Sequence, residues 1–540
     1  MNRLGKIFLC STLLNLLVVP LFAQQPLANN WHLLDPSQDK VFGTSVDKAY
    51  GSVLKGKQGK RVVVAIIDSG IDTLHEDLKT VLWVNPAERA NGKDNDGNGY
   101  RADRNGWNFL GNAQDFNSYV VKDSEEDQRI YFRDIDKFES VSSPSDLPKR
   151  ERANYQLWLA SKASIERKIR AKTHFKSHEQ WEENYNKYDS FFSAKLGKSV
   201  YTFGEVMKLG ETSSEADKKS KAFAEFAGSP PPHVTNRMIY LNAIRQIKAA
   251  RQSGKFPDSA PKDYRQSITQ DNINNLKDAY YGNANLRAEK CTHGTHVAGI
   301  IGAVRNNGVG IDGIADQVSL MTLRAVPDGD EHDKDIALAI RYAVDNGADI
   351  INMSFGKSIS PNRQWVEDAI RYAEKKNVLI VKAAGNESLN IDSIMVYPTA
   401  YTIKGNKKIG NVITVGASTA TAAIHGLTAP FSNFGKESVD VFAPGFDIYS
   451  TTQGIDTYEK MSGTSMAAPV VTGIAALLKS YYPQLTAKQL KTIIEQSAVK
   501  IEEPVNKPGT KDQVKLSELC KTGAIVNAYE ALKLAENFKP

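Results

Sequence analysis

Arg61 to Ile67 forms an almost unbroken apolar, β-branched run, the pattern of a strand covered on both faces of a parallel sheet. Comparable runs recur at Val318–Leu323, Asp349–Met353, Val378–Val381, Val412–Val415 and Val439–Phe442. Between them lie segments of helical period, among them Asp335–Asn346 and Trp365–Lys376. Strands alternating with helices predict an α/β fold, a doubly wound, mainly parallel sheet flanked by helices. Reactive groups in such sheets gather beyond the carboxyl ends of the strands. Asp68, Ser354 and Asn386 each fall at or just after a predicted strand end.

The rhythm breaks from about Asp115 to Lys290. Leu147 to Leu196 is rich in Lys, Arg, Glu and aromatic residues and poor in Gly and Pro, which predicts long amphipathic helices. Ser229-Pro230-Pro231-Pro232 marks a break, and Asn236–Gln252 predicts a second helical stretch. Charges of both signs alternate along these segments, as on solvated helix faces.

The amino terminus changes the picture. Arg3 and Lys6 precede an apolar stretch from Ile7 to Phe22 that ends in Leu21-Phe22-Ala23-Gln24, the pattern of a secretory leader cleaved after Ala23. The run is too short, and too broken by Ser11, Thr12, Asn15 and Pro20, for a membrane anchor. Export to the periplasm or medium is the expectation, with no stable membrane insertion. Loss of the leader takes the net charge from +6 to +4 over more than 500 residues, which excludes a nucleic-acid footprint. It also removes Cys10, leaving Cys291 and Cys520, whose separation in space the sequence leaves open. An accessible Cys291, two residues before His293, would make activity sensitive to bulky thiol reagents.

Near the carboxyl terminus the chain reads Met461-Ser462-Gly463-Thr464-Ser465-Met466-Ala467-Ala468-Pro469, then an apolar run to Tyr482. Ser465 sits where a turn becomes a helix, beside backbone N–H groups that can stabilise an oxyanion. Upstream stand Val64-Ala65-Ile66-Ile67-Asp68-Ser69-Gly70-Ile71-Asp72 and His293-Gly294-Thr295-His296-Val297-Ala298-Gly299. Alone, each motif reads as a helix cap, a turn or a metal pair. Together they supply a nucleophile, a base and a group to orient the base, in the order Asp, His, Ser. All three segments resemble the subtilase family of serine proteases, across about residues 28–112 and 289–535.

The resemblance implies that Ser465 attacks the scissile carbonyl, His293 moves the proton and Asp68 holds the imidazole, with His296 structural. Val381-Lys382-Ala383-Ala384-Gly385-Asn386-Glu387 matches the segment whose side-chain amide completes the oxyanion hole, here Asn386. Lys382 departs from the small apolar residue usual there and needs a partner or an exit to water. Ile351-Asn352-Met353-Ser354-Phe355-Gly356 resembles the edge that pairs with an extended substrate. Ser354, Phe355 and Gly356 would line one pocket wall and Ala384, Gly385 and Asn386 the other. Val396, where many relatives carry glycine, would shorten the pocket and favour small or medium apolar side chains.

Asp94-Asn95-Asp96-Gly97-Asn98-Gly99-Tyr100 partly matches a calcium loop, with Asp94, Asp96 and Asn98 as candidate ligands, but its twelfth position is Asn105 rather than glutamate. No cofactor is needed for the chemistry, and any calcium would be structural. Asp68 and His293 lie 225 positions apart, against a few dozen in typical subtilases, so residues 115–290 read as a helical insertion. The expected division is a leader at 1–23, an extension at 24–60, a catalytic domain in two parts at 61–114 and 291–540, and the insertion between them. An exported serine endopeptidase acting on polypeptides is the leading reading. A non-catalytic peptide-binding protein on the same scaffold, or a transpeptidase using the same triad, are the alternatives. The sequence does not specify an oligomeric state.

Overall fold

The computed structural model describes residues 27–538 apart from 228–229, 231, 233, 242–259, 423–425 and 455–456, and the backbone alone within 167–180. The expected leader, and most of the helical stretch expected at 236–252, lie outside the described residues.

The strands in chain order are β1 (Val62–Asp68), β2 (Gly106–Asn108), β3 (Val318–Arg324), β4 (Ile350–Met353), β5 (Leu379–Ala383), β6 (Val412–Ser418) and β7 (Val441–Pro444). They are followed by β8 (Ile448–Thr451), β9 (Tyr458–Met461), β10 (Val499–Lys500), β11 (Val505–Asn506), β12 (Gln513–Val514) and β13 (Ala524–Ile525). Nine of them form one sheet in the order β10-β13-β7-β6-β5-β4-β1-β3-β2. Every pairing in it is parallel except β10 with β13. Each of the six sequence-predicted runs overlaps one of these strands. The strands consecutive in this set, β3 and β4, lie on opposite sides of β1, so the winding reverses around it and Asp68 ends the strand at that switch point.

Among the described residues, the helices of eight residues or more in chain order are α1 (Glu126–Phe138), α2 (Arg152–Leu196), α3 (Phe203–Gly210), α4 (Ser214–Ala227) and α5 (Thr292–Gly302). After them come α6 (Asp333–Asp345), α7 (Arg363–Lys375), α8 (Thr464–Tyr481), α9 (Ala487–Ser497) and α10 (Ala528–Glu536). Alternation along β1 explains the two layers. Val62, Val64 and Ile66 enter a core shared with α5, α8, α9 and α10, whereas Ala65 and Ile67 enter a core shared with α6 and α7. Burial on both faces is why this strand reads as a continuous apolar run.

Between residues 126 and 227 the chain forms the four helices α1 to α4, and α2 covers most of the 147–196 stretch that composition predicts to be helical. The helix α2 has 45 residues, about 67 Å at 1.5 Å per residue. Phe138, Tyr155 and Trp158 form a small core at its beginning. A second core holds Tyr185, Phe192, Tyr201, Phe203, Val206 and Phe223 toward its end. The base of this arm joins the α/β layers through buried ion pairs and one histidine–carboxylate hydrogen bond. Lys357 Nζ is 2.9 Å from both Glu126 and Asp333, and His332 Nε2 is 2.9 Å from Asp123 Oδ2. Arg265 reaches Asp335 at 2.5 Å and Asp271 at 2.8 Å, while Lys334 reaches Asp271 at 2.7 Å. Such pairs add little net stability over apolar packing, but removing one partner strands a buried charge.

Candidate active site

Asp68 comes from the end of β1, His293 from the second residue of α5 and Ser465 from the second residue of α8. His293 Nδ1 is 2.8 Å from Asp68 Oδ1, and that same oxygen accepts the Ser69 N–H at 2.7 Å. A Cβ on Gly294 would stand 2.2 Å from the Gly70 carbonyl oxygen, so glycine there lets α5 close onto the loop after β1. The Asp68 side chain is 3% exposed and that of His293 34%, a sheltered carboxylate behind a ring that reaches the cleft. Burial alone would lower the His293 pKa, but the charge and hydrogen bond of Asp68 outweigh it and hold it above the usual value.

His296 behaves differently. It is fully buried, and its Nε2 lies 3.0 Å from the Ile448 carbonyl and 3.1 Å from that of Glu459. Burial pushes its pKa down to about 4, so it stays neutral and ties α5 to the β8–β9 hairpin.

Ser465 and Ser354 are bonded reciprocally. The Ser465 hydroxyl donates to the Ser354 carbonyl at 3.0 Å, and the Ser354 hydroxyl donates to the Ser465 carbonyl at 2.8 Å. Pro469 explains the second bond. Four residues on, it has no N–H to give the Ser465 carbonyl, so that oxygen is left for a side chain. The chain of bonds continues inward, with Asn352 Nδ2 donating to Ser354 Oγ at 3.0 Å and the Thr472 hydroxyl donating to Asn352 Oδ1 at 2.8 Å.

Asn386 Oδ1 accepts from the Thr464 N–H at 2.8 Å and the Thr464 hydroxyl at 3.0 Å. The Thr464 hydroxyl in turn accepts from the Gly385 N–H at 3.0 Å. With the oxygen committed to the helix start, Nδ2 remains as the donor beside the first turn of α8, whose N–H groups have no intrahelical acceptor. Hydroxyl, imidazole, carboxylate and paired N–H donors together can activate a nucleophile and stabilise an oxyanion.

A cleft of about 380 Å³ carries Ser465, Asn386, Phe355, Gly356, Gly385 and Val396 on its walls. An adjoining one carries Asp68, His293 and Ser354, and Val326 and Phe355 belong to both. Ala384 is buried with Phe434 and Phe442, and Ala383 takes the place on the wall. Sequence reasoning missed Glu125, Asp330, Glu331 and Lys357 on the same walls. The acidic run Asp328-Gly329-Asp330-Glu331 was a signal for Asp330 and Glu331 only. Lys382 is 3% exposed on β5. Burial pulls its pKa down to about 8 against the opposing charges of Asp440 and Glu387.

Carboxylate oxygens of Glu88, Asp94 and Asp96 lie within 4.8 Å of one another. Glu88 Oε2 is buried with no hydrogen-bond partner, an acceptor that suits a hard cation. Asn98 instead turns its amide nitrogen to Asp96 and Asp103, and its Oδ1 accepts the Tyr100 N–H at 2.7 Å. Cys291 and Cys520 are both unbridged and buried, and burial pushes the Cys291 thiol up to about 11.

The model of the subtilase family matches residues 59–518. A thermophilic serine proteinase of Bacillus sp. (strain AK1) is 43% identical over 39% of this chain and 47% of its own length. A thermostable alkaline protease of Halalkalibacterium halodurans is 36% identical over 39% of this chain and 54% of its own. Thermitase of Thermoactinomyces vulgaris is 37% identical over 39% of this chain and 68% of its own. The chain thus spans about half the length of the first two relatives. The parallel sheet, the carboxylate at its switch point, the paired imidazole, the serine at a helix start and the family match over most of the sequence converge, and the chain belongs to the subtilase family.

Proposed function

We propose that this chain is an exported serine endopeptidase, made with a leader at residues 1–23 and acting on polypeptides in the periplasm or outside the cell. The observation that carries the reading is the 2.8 Å bond between His293 Nδ1 and Asp68, on the wall of a cleft adjoining that of Ser465 and Asn386.

Asp68 fixes the tautomer in which Nδ1 carries the proton and Nε2 is free to accept one. The Ser465 hydroxyl turns from the Ser354 carbonyl to Nε2 and attacks the scissile carbonyl as its proton passes to His293. Asn386 Nδ2 and the Ser465 N–H take the oxyanion. His293 then protonates the leaving amine, and water, deprotonated by the same ring, releases the acyl group. Loss of one oxyanion donor costs about 10²–10³ in rate.

Phe355, Gly356, Gly385 and Val396 form the pocket for the residue preceding the cut, and Val396 favours small or medium apolar side chains. A peptide library preferring Phe or Tyr there contradicts this. Glu88, Asp94 and Asp96 hold a structural calcium ion, which takes no part in the chemistry. The helical insertion, through Asp123, Glu126 and Arg129, steadies Asp330 and His332 and gates access to the cleft. Casein digestion by residues 24–540 tests the function, with cleavage expected in the wild type and lost in Ser465→Ala. Equal cleavage by both proteins contradicts it.

A further inference from the structure

The cleft beside Ser465 is lined by four carboxylates, Glu125, Asp330, Glu331 and Glu387, and by one cation, Lys357. That cation is already committed. Its side chain is 1% exposed, and its ammonium pairs with Glu126 and Asp333 at 2.9 Å each and donates to the Glu331 backbone carbonyl at 2.7 Å. Three donors are all that a lysine has, so the Glu331 carboxyl receives none of them.

Glu331 is 2% exposed, and its Oε1 has no hydrogen-bond partner among the described residues. Burial pushes its pKa up to about 8 against the opposing charge of Lys357, and the charges of Asp330 and Asp333 add to the rise. Its neighbour Asp330 is held in place by the insertion, since Oδ2 accepts the Glu126 N–H at 2.8 Å and Arg129 donates to the Asp330 carbonyl. Glu387 is likewise held, its Oε2 accepting from Asn433 at 2.6 Å. A buried carboxyl with one unpartnered oxygen, fixed beside a second carboxylate on the wall of a peptide cleft, is only partly offset by the shared charge of Lys357, and an ammonium or guanidinium bound there supplies the rest and favours its ionised form.

We propose that Asp330 and Glu331, together with Glu125, form a subsite that binds a lysine or arginine side chain of the polypeptide lying in the cleft. This rests on the endopeptidase reading and adds a substrate class to it: chains with a cationic residue at a fixed distance from the bond cut. The apolar pocket at Val396 and the acidic subsite serve different residues of one extended substrate.

The test is a panel of quenched decapeptides of neutral sequence, in which one lysine is moved position by position and norleucine, its uncharged near-isostere, replaces it in a matched set. At one position lysine should raise kcat/KM about tenfold or more over norleucine, as a hydrogen-bonded charge pair warrants. Arginine should do the same, and 0.5 M salt should shrink the ratio. In Glu331→Gln and Asp330→Asn the lysine-to-norleucine ratio should fall toward one. A wild-type ratio near one at every position overturns the proposal, as does a preference that survives both substitutions. Glu331 also lines a small pocket with Arg363, and satisfaction of its carboxyl there by water would give that flat result. If the wild type cleaves no peptide, the endopeptidase reading fails separately. The subsite is then judged by binding of labelled lysine and norleucine peptides to Ser465→Ala. Tighter binding of lysine, lost with Glu331→Gln, sustains it, and equal binding sinks it.

Discussion

Pro469 stands four residues after Ser465 in the same helix and leaves the Ser465 carbonyl to the hydroxyl of Ser354, which donates to it at 2.8 Å. A proline inside a helix ordinarily costs about 3 kcal/mol. Here the vacated acceptor ties the helix start to the end of β4, and Asn352 and Thr472 extend the tie into the core. Ser465 is therefore held from both sides.

Thr472→Val keeps the side-chain shape and removes the donor to Asn352 Oδ1. A buried acceptor left unpaired costs about 1–3 kcal/mol, so a lower Tm is expected. The loosened Ser354 should also lower kcat more than it raises KM. Unchanged Tm and kcat would show that this chain of bonds does not position Ser465.

His293 must be neutral at Nε2 to accept the serine proton, so kcat/KM should rise with pH through a midpoint above the ordinary 6.5, since Asp68 lifts the pKa against burial. In Asp68→Asn the lift is gone and burial remains, so the midpoint should move down as the rate falls. The sign for stability is opposite. A raised histidine pKa contributes stability that is full below the unfolded value and is lost as pH rises through the folded one. Chemical denaturation of Ser465→Ala across pH 5 to 9, compared with Asp68→Asn, reads it.

Calcium binding by Glu88, Asp94 and Asp96 predicts that a chelator lowers Tm and that added calcium restores it. Asp94→Asn should abolish the response. A Tm indifferent to both chelator and calcium contradicts the site.

Cys291 is buried with its thiol pushed up to about 11, so it is a poor nucleophile despite lying two residues from His293. Iodoacetamide at pH 8 should leave native activity intact and label Cys291 and Cys520 only after denaturation. Rapid native labelling with loss of activity would contradict the burial. The thiol-reagent sensitivity considered from sequence required exposure, which local spacing does not report.

What the sequence reveals follows from how local each feature is. β1, β3 and β6 are legible because strands buried on both faces must be apolar throughout. Gly106–Asn108 is not, since a three-residue strand containing glycine leaves no period, and the two strands of the β8–β9 hairpin have only four residues each. Asp68, His293, Asn386 and Ser465 were nameable because each sits in a distinctive local motif. The reciprocal bond of Ser354 and Ser465 was not, because it joins residues 111 positions apart. Glu88 lies outside the Asp94–Asn98 run that suggested calcium, and Glu125 and Glu331 line one cleft although 206 positions (331 − 125) separate them.

The most direct test of the central claim is mass spectrometry of the protein after reaction with a fluorophosphonate, locating the adduct on the digested peptide. One adduct per chain is expected, on Ser465, absent from Ser465→Ala and strongly reduced in His293→Ala. No adduct on the folded wild type, or one on another residue, would contradict it.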